Sequence, residues 1–335
     1  MASTQIAHSE LWSTAFGPCP GVSVVSPRRA DPTVRWTAAV ALGGQGRYAG
    51  AAALLEALAA DPRTPRALAA LAAVTRASHL RQLGGHGAAA RFDGLGIRLA
   101  TAAGRSDPGA TELGIDARSA LVDGLVGLAA DAVGRADVGA ATSLLTRADA
   151  VLEDCAAPRP TIRAGWVRAE LALLRGDPAV AVRAAAAAVA GARRWGSARH
   201  LLKSRLVAEV AGILAARAGL AEGTGSAGSG GSARLDALAE EAGELGLVPL
   251  RWAALLAAAG LAGAATDDPP VGRREPQNPS GAAVRTNERH GRTAPGSVNG
   301  AASDTARRRH AAAHALSVMF TRSDPQLRRL MREVV

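Results

Sequence analysis

The densest set of side chains able to do chemistry is Arg193, Arg194, Trp195, Arg199, His200, Lys203 and Arg205. Arg193 and Arg194 close a helical stretch, where the negative end of the helix dipole favours cations. Ser197 then reads as the N-cap of the next helix, which places Arg199, His200 and Lys203 in its first two turns. Cations there oppose the dipole at a cost of roughly a few tenths of a kcal/mol each unless an anion compensates. Two compensations are available. One is an anionic partner, such as an acidic peptide or a phosphate-bearing ligand. The other is internal pairing with Glu170, Glu209 or the acidic face formed by Asp236, Glu240, Glu241 and Glu244.

Other chemical motifs carry less. Gly223, Gly225 and Gly228 match a dinucleotide-binding pattern, but they sit in a low-complexity run with no strand before it. His310 and His314 are spaced to share a helix face, yet no third ligand accompanies them, so no metal site is expected. Arg175-Gly176-Asp177 serves as a helix end and the next cap. There is no Gly-Lys-Ser/Thr after a glycine loop and no Gly-x-Ser-x-Gly nucleophile setting. The expectation is a non-enzymatic protein without a cofactor.

The elements that must position the basic run are helices. Trp166–Ala192 reads as a helix, a tight turn and a second helix. Gly176 ends the first, Asp177 caps the second, and Pro178 takes its first position. Ala181, Ala184, Ala185 and Ala188 recur at helical spacing and let another helix approach closely. The stretch 36–62 has the same plan, with Trp36 ten residues before Gly46 as Trp166 is before Gly176. Weaker units cover 65–103, turning near Gly87, and 117–152, turning near Ala136. A fifth begins at Ser197, turns at Gly219 and resumes at Ser232.

Composition agrees. Of 335 residues 48% are hydrophobic but only 3% aromatic, because alanine supplies most of the apolar count, which favours close-packed helices over sheets. VSVVS at 22–26 is the single strand-like run. Cys19 and Cys155 lack metal spacing and are expected to be reduced thiols of a cytoplasmic protein. Leu247–Ala265 is the most apolar window, but Pro249 and Arg251 mark it as a packed helix rather than a membrane span.

The run from Trp36 through Leu42, Gly43, Gly46, Tyr48, Ala51, Leu55 and Leu58 to Pro62 resembles the tetratricopeptide repeat, and Trp166, Leu173, Gly176 and Ala181 fit the same places. The resemblance implies an all-α solenoid of about five helix pairs over 31–265, interrupted by a flexible insert at 219–232. Turns 40 to 49 residues apart exceed the family period of about 34, so the helices are longer than in orthodox repeats. Around this domain we expect an irregular lead-in at 1–30, a disordered linker at 266–305 and a basic amphipathic segment at 306–335. In that last segment Asp324-Pro325 starts a short helix whose Leu327, Leu330, Met331 and Val334 share one face. It either docks on a partner or caps the last exposed face of the solenoid.

Resemblance to this family further implies a concave groove lined by the first helix of each pair. Those helices carry Arg35, Arg76, Arg118, Arg163, Arg168, Arg199 and Lys203, with His200 beside them, which suits an acidic or extended peptide. An arginine-rich surface equally suits a regulatory protein touching nucleic acid, since similar segments occur in larger actinobacterial transcription regulators, whose arginine-rich composition the chain shares. No membrane partner is expected.

Overall fold

The computed structural model describes residues 2–25, 30–104, 111–220, 229–266, 296–325 and 328–329. They form thirteen α-helices, and none is in a strand. In order these are α1 (Ala2–Phe16), α2 (Pro32–Gly44), α3 (Tyr48–Ala60), α4 (Arg66–Arg81) and α5 (His86–Ala103). Then come α6 (Ala117–Gly134), α7 (Val138–Leu152), α8 (Pro158–Leu174), α9 (Pro178–Trp195) and α10 (Ala198–Arg217). The last three are α11 (Ser229–Glu244), α12 (Val248–Thr266) and α13 (Gly296–Thr321).

One local device is repeated along the chain. In six turns the N–H just past a left-handed residue bonds a carbonyl five residues back: Arg47 to Leu42, Gly85 to Leu80, Asp137 to Ala132, Asp177 to Ala172, Leu220 to Ala215 and Leu247 to Ala242. This is the Schellman closure, which satisfies the last carbonyls of a helix and reverses the chain. Gly46, Gly84, Gly176, Gly219 and Gly246 supply the positive φ at five of the turns, so the second turn is at Gly84 rather than near Gly87. Ala136 supplies it at the other with φ 58°, the one non-glycine residue of this kind among the described residues. Ala136→Gly is therefore expected to relieve about 1 kcal/mol of backbone strain and raise Tm by about 2–4 °C in calorimetry. A fall would mean the turn is held by something other than its backbone.

Asp31 and Asp177 cap α2 and α9 through bonds to Thr33 N (2.8 Å) and Val180 N (3.0 Å), each with proline following. Within each unit the two helices lie against each other: α2 with α3, α4 with α5, α6 with α7, α8 with α9, and α10 with α11. The first helices also touch in sequence, α2 to α4, α4 to α6, α6 to α8, α8 to α10 and α10 to α12, so they form a continuous inner layer. Alanines let α9 sit close against that layer: Ala181 and Ala185 are fully buried and Ala188 nearly so, in clusters shared by α8, α9 and α10.

The row of pairs curls until its ends meet. The lead-in is not irregular throughout, because α1 packs on α2 and touches α10. Phe16 of α1 lies against Trp36 of α2 (5.6 Å between ring centres) and Trp195 of α9 (5.7 Å). Gln45 donates to the carbonyls of Pro20 (2.9 Å) and Val22 (2.7 Å), and Ala198 N to that of Gly17 (3.1 Å). Val24 is buried by this packing, and 22–25 forms no strand.

The C-terminal part departs further from expectation. Residues 296–305 belong to α13 rather than to a linker, while 267–295 lie outside the described residues. Residues 229–232 belong to α11, leaving 221–228 of the insert outside as well. The helical start expected at Asp324-Pro325 is present, with Pro325, Arg328 and Arg329 helical and Arg328 N bonded to Asp324 O (2.9 Å), although Leu327, Leu330, Met331 and Val334 lie outside the described residues; before it runs α13, which ends at Thr321. Its apolar side is formed by Ala312, Ala315, Leu316 and Met319, one face at helical spacing. It packs on α12 and spans to the first units, where Ala49 N bonds Arg322 O (2.8 Å) and Arg76 pairs with Asp324 (2.9 Å). Arg308 pairs with Asp236 of α11 (2.7 Å), which ties the same helix to the last unit.

Candidate functional site

Closure of the inner layer leaves a cavity of about 480 Å³ bounded by α1, α2, α4, α6, α8, α10 and α12. Its walls are chemically divided. Phe16, Trp36, Trp166 and Trp252 give it aromatic surface, and Val40, Val126, Val167 and Leu250 add aliphatic surface. The indole N–H groups of Trp36 and Trp166 are bonded within the protein, to Thr75 Oγ1 (3.0 Å) and Ser204 Oγ (2.8 Å). Those two rings therefore offer the interior only their apolar surfaces.

Charge is concentrated where α8 meets α10. Arg159, Arg163, Arg199 and Lys203 line that wall with only two carboxylates, Asp123 and Glu170. Asp123 is buried and shared, 2.9 Å from Arg159 Nη2 and 2.7 Å from Arg163 Nη1. Arg159 also donates to Gly114 O (2.8 Å) and lies over the rings of Trp36 and Phe16. Lys203 has Glu170 at 3.5 Å. Arg199 has no carboxylate among the described residues: its nearest acceptor is Val40 O, at 3.4 Å. Burial, Arg163 and Arg159 together push its guanidinium down to about 10.

His200 of α10 and His79 of α4 are buried imidazoles that line the cavity. His200 is stacked on Trp166 (5.6 Å, 23°), meets Trp195 edge-on, and shares a 2.8 Å bond between Nδ1 and Ser197 Oγ. Ser197 thus sits at the N-cap of α10, as its position suggested, but spends its hydroxyl on the histidine. Burial first, then Arg199, Arg159 and Arg163, hold His200 well below its ordinary range. His79 is 3% exposed, lies against Tyr48, and its Nδ1 has no partner among the described residues. Burial, then Arg76 and Arg199, push it down to about 3.

Between α4, α5 and α6, Arg81 is held between Asp93 and Asp131, with His86 Nδ1 3.0 Å from Asp131. A side chain at Gly127 would collide with the Asp93 carboxylate, so the glycine makes room for the pair. Burial raises Asp93 to about 7, against the pull of Arg81 and with the help of Asp131.

These groups fix the acid limb of stability. Both histidines are neutral when folded, so their contribution is complete above pH 6.5 and lost as the pH falls towards the folded value, about 3 for His79. Asp93 acts in reverse: its contribution is complete below 3.8 and lost as the pH rises to about 7. Two groups oppose one between roughly pH 4 and 6.5, so unfolding free energy is expected to fall by about 1.4 kcal/mol per unit of acidification. Urea unfolding at steps across that range measures it. A flat profile would mean the histidines are protonated in the fold.

Of the residues singled out from sequence, the structure brings Arg163, Arg199, His200 and Lys203 together on one wall. Arg35 and Arg168 are elsewhere. Arg35 is buried 3.7 Å from Asp61, and Arg168 pairs with Asp149 on the half-exposed flank of α8. Arg118 reaches Asp154 O (3.4 Å). Internal pairing accounts for Lys203 with Glu170, Arg205 with Glu241 and Arg234 with Glu209, and stops short of Arg199. Arg159 and His79 were missed. Arg159 follows Pro158 in the first turn of α8, the same cation-against-dipole signal that marks Arg199. His79 has no signal short of the fold.

Cys19 and Cys155 are free, and burial pushes the Cys155 thiol up to about 11. His310 and His314 are exposed on α13. Gly223, Gly225 and Gly228 lie outside the described residues, among which no group of three or more His, Cys, Asp or Glu could hold a metal ion. Nor is any described helix long and apolar enough to cross a membrane. Compared with known protein families, curated proteins and solved structures, the chain matches none.

Proposed function

We propose that the protein is a non-enzymatic, cytoplasmic interaction module: a tetratricopeptide-like solenoid of about five helix pairs, curled into a ring, that recognises an anionic group of its partner in the central cavity. Support for the solenoid comes from the repeated turn closures and the sequential contact of first helices. The observation that carries the function is Arg199, a cation on the cavity wall with no carboxylate among the described residues and two further arginines sharing one aspartate beside it. A half-buried charge left uncompensated is costly to keep, and an incoming anion removes the cost. Nucleic acid is a weaker reading, because arginines outside the cavity, such as Arg205, Arg234 and Arg308, face Glu241, Glu209 and Asp236.

Sulfate is the simplest probe. At matched ionic strength, sulfate stabilises most proteins over chloride by exclusion from their surface, so the informative quantity is the difference between wild type and Arg199→Met. The wild type is expected to gain several degrees more in Tm than the variant. Equal gains would overturn the reading.

A further inference from the structure

This inference rests on the anion site of the reading just given and assigns that site its own occupant: we infer that the anion bound there is the acid group of a free, flat organic molecule, an aromatic carboxylate in chemical class, small enough to fit within the ring. Two observations point there. First, the cavity is ringed by six inner helices and α1, with a half-open mouth, and about 480 Å³ lies within the range typical of small-molecule sites. Second, the cationic wall stands beside aromatic surface: Trp166 lies on the same helix as Arg163, and Trp36 and Phe16 lie under the guanidinium of Arg159. With the indole N–H groups of Trp36 and Trp166 already engaged, that surface favours an apolar ring over a sugar or an amide. Arg199, free of any carboxylate among the described residues, takes the acid group in a charge-assisted pair. An inorganic anion would use Arg199 and leave the aromatic wall idle.

The test uses the full chain and three probes at neutral pH: sodium 2-naphthoate, its uncharged analogue 2-naphthamide, and sodium acetate, followed by quenching of tryptophan fluorescence. Naphthoate is expected to bind at least about tenfold more tightly than either comparison compound, the size of effect a hydrogen bond to a charged group gives. Arg199→Met should remove the advantage over naphthamide, and Arg199→Lys should restore part of it. Circular dichroism confirms that each variant is folded. Naphthoate binding no better than naphthamide, or no better than acetate, overturns the inference. If sulfate still stabilises the wild type more than Arg199→Met, the recognition of an anion survives that result and only the class of ligand is wrong. A peptide of six glutamates binding more tightly than naphthoate, and depending on Arg199, would show that the occupant is a chain segment, which also overturns it.

Discussion

Asp123→Ala is expected to cost about 3–5 kcal/mol of folding free energy, the usual penalty for stripping a buried ion pair of one partner. Asp123 is 2% exposed by its side chain and holds both Arg159, at 5%, and Arg163, at 17%. Without it, three arginines would face one another across the α8–α10 wall. Asp123→Asn keeps the shape and some hydrogen bonding and should cost less. Urea unfolding measures both, and a loss below about 1 kcal/mol for the alanine variant would show that the arginines find other partners or reach water.

The second large effect concerns α13. Leu316 and Met319 are buried against Tyr48, Leu80 and Leu83, in a cluster that includes residues of α3, α4 and α12. Burying each such side chain stabilises by about 1.5–3 kcal/mol. If a specific protease sequence is inserted between residues 270 and 290 and cleaved, residues 296–335 should stay with the ring on size exclusion. Met319→Asp, which would bury a carboxylate, should release them and lower Tm. A wild-type fragment that separates on cleavage would mean α13 is not a structural clasp. So would an Asp variant that stays bound.

Local punctuation was legible in the sequence because it is local chemistry. Asp-Pro at 31–32 and 177–178 starts helices, glycines at 46, 176 and 219 reverse the chain, and the alanines of 181–188 face a neighbour, all as their spacing indicates. Closure was not legible. It is made by contacts between residues far apart in the chain, such as Gln45 with Pro20 and Arg199 with Val40, and by the small rotation each pair adds to the one before. An open groove and a closed ring share the same first-helix residues. That is why Arg163, Arg199, His200 and Lys203 were found together, whereas Arg35 and Arg168, on the same helices but other faces, were not. The register of α13 was missed for a related reason: alanine and arginine at 301–316 give a weak apolar stripe, and only the cluster with Tyr48 and Trp252 selects Leu316 and Met319.

What stands or falls with the whole reading is a cation kept in the cavity wall for a ligand at the expense of the fold. Arg199→Met, unfolded in urea without any added anion beyond a low chloride buffer, tests this directly. Replacing a buried ion pair by apolar groups of similar volume is often stabilising by about 1–4 kcal/mol, and here the substitution removes a half-buried charge together with its repulsion from Arg159 and Arg163. The variant is expected to be more stable than the wild type by about 1–3 kcal/mol while losing its response to sulfate. A variant less stable than the wild type would show Arg199 to be a structural residue, and the cavity would lose its reason for holding an unpaired charge.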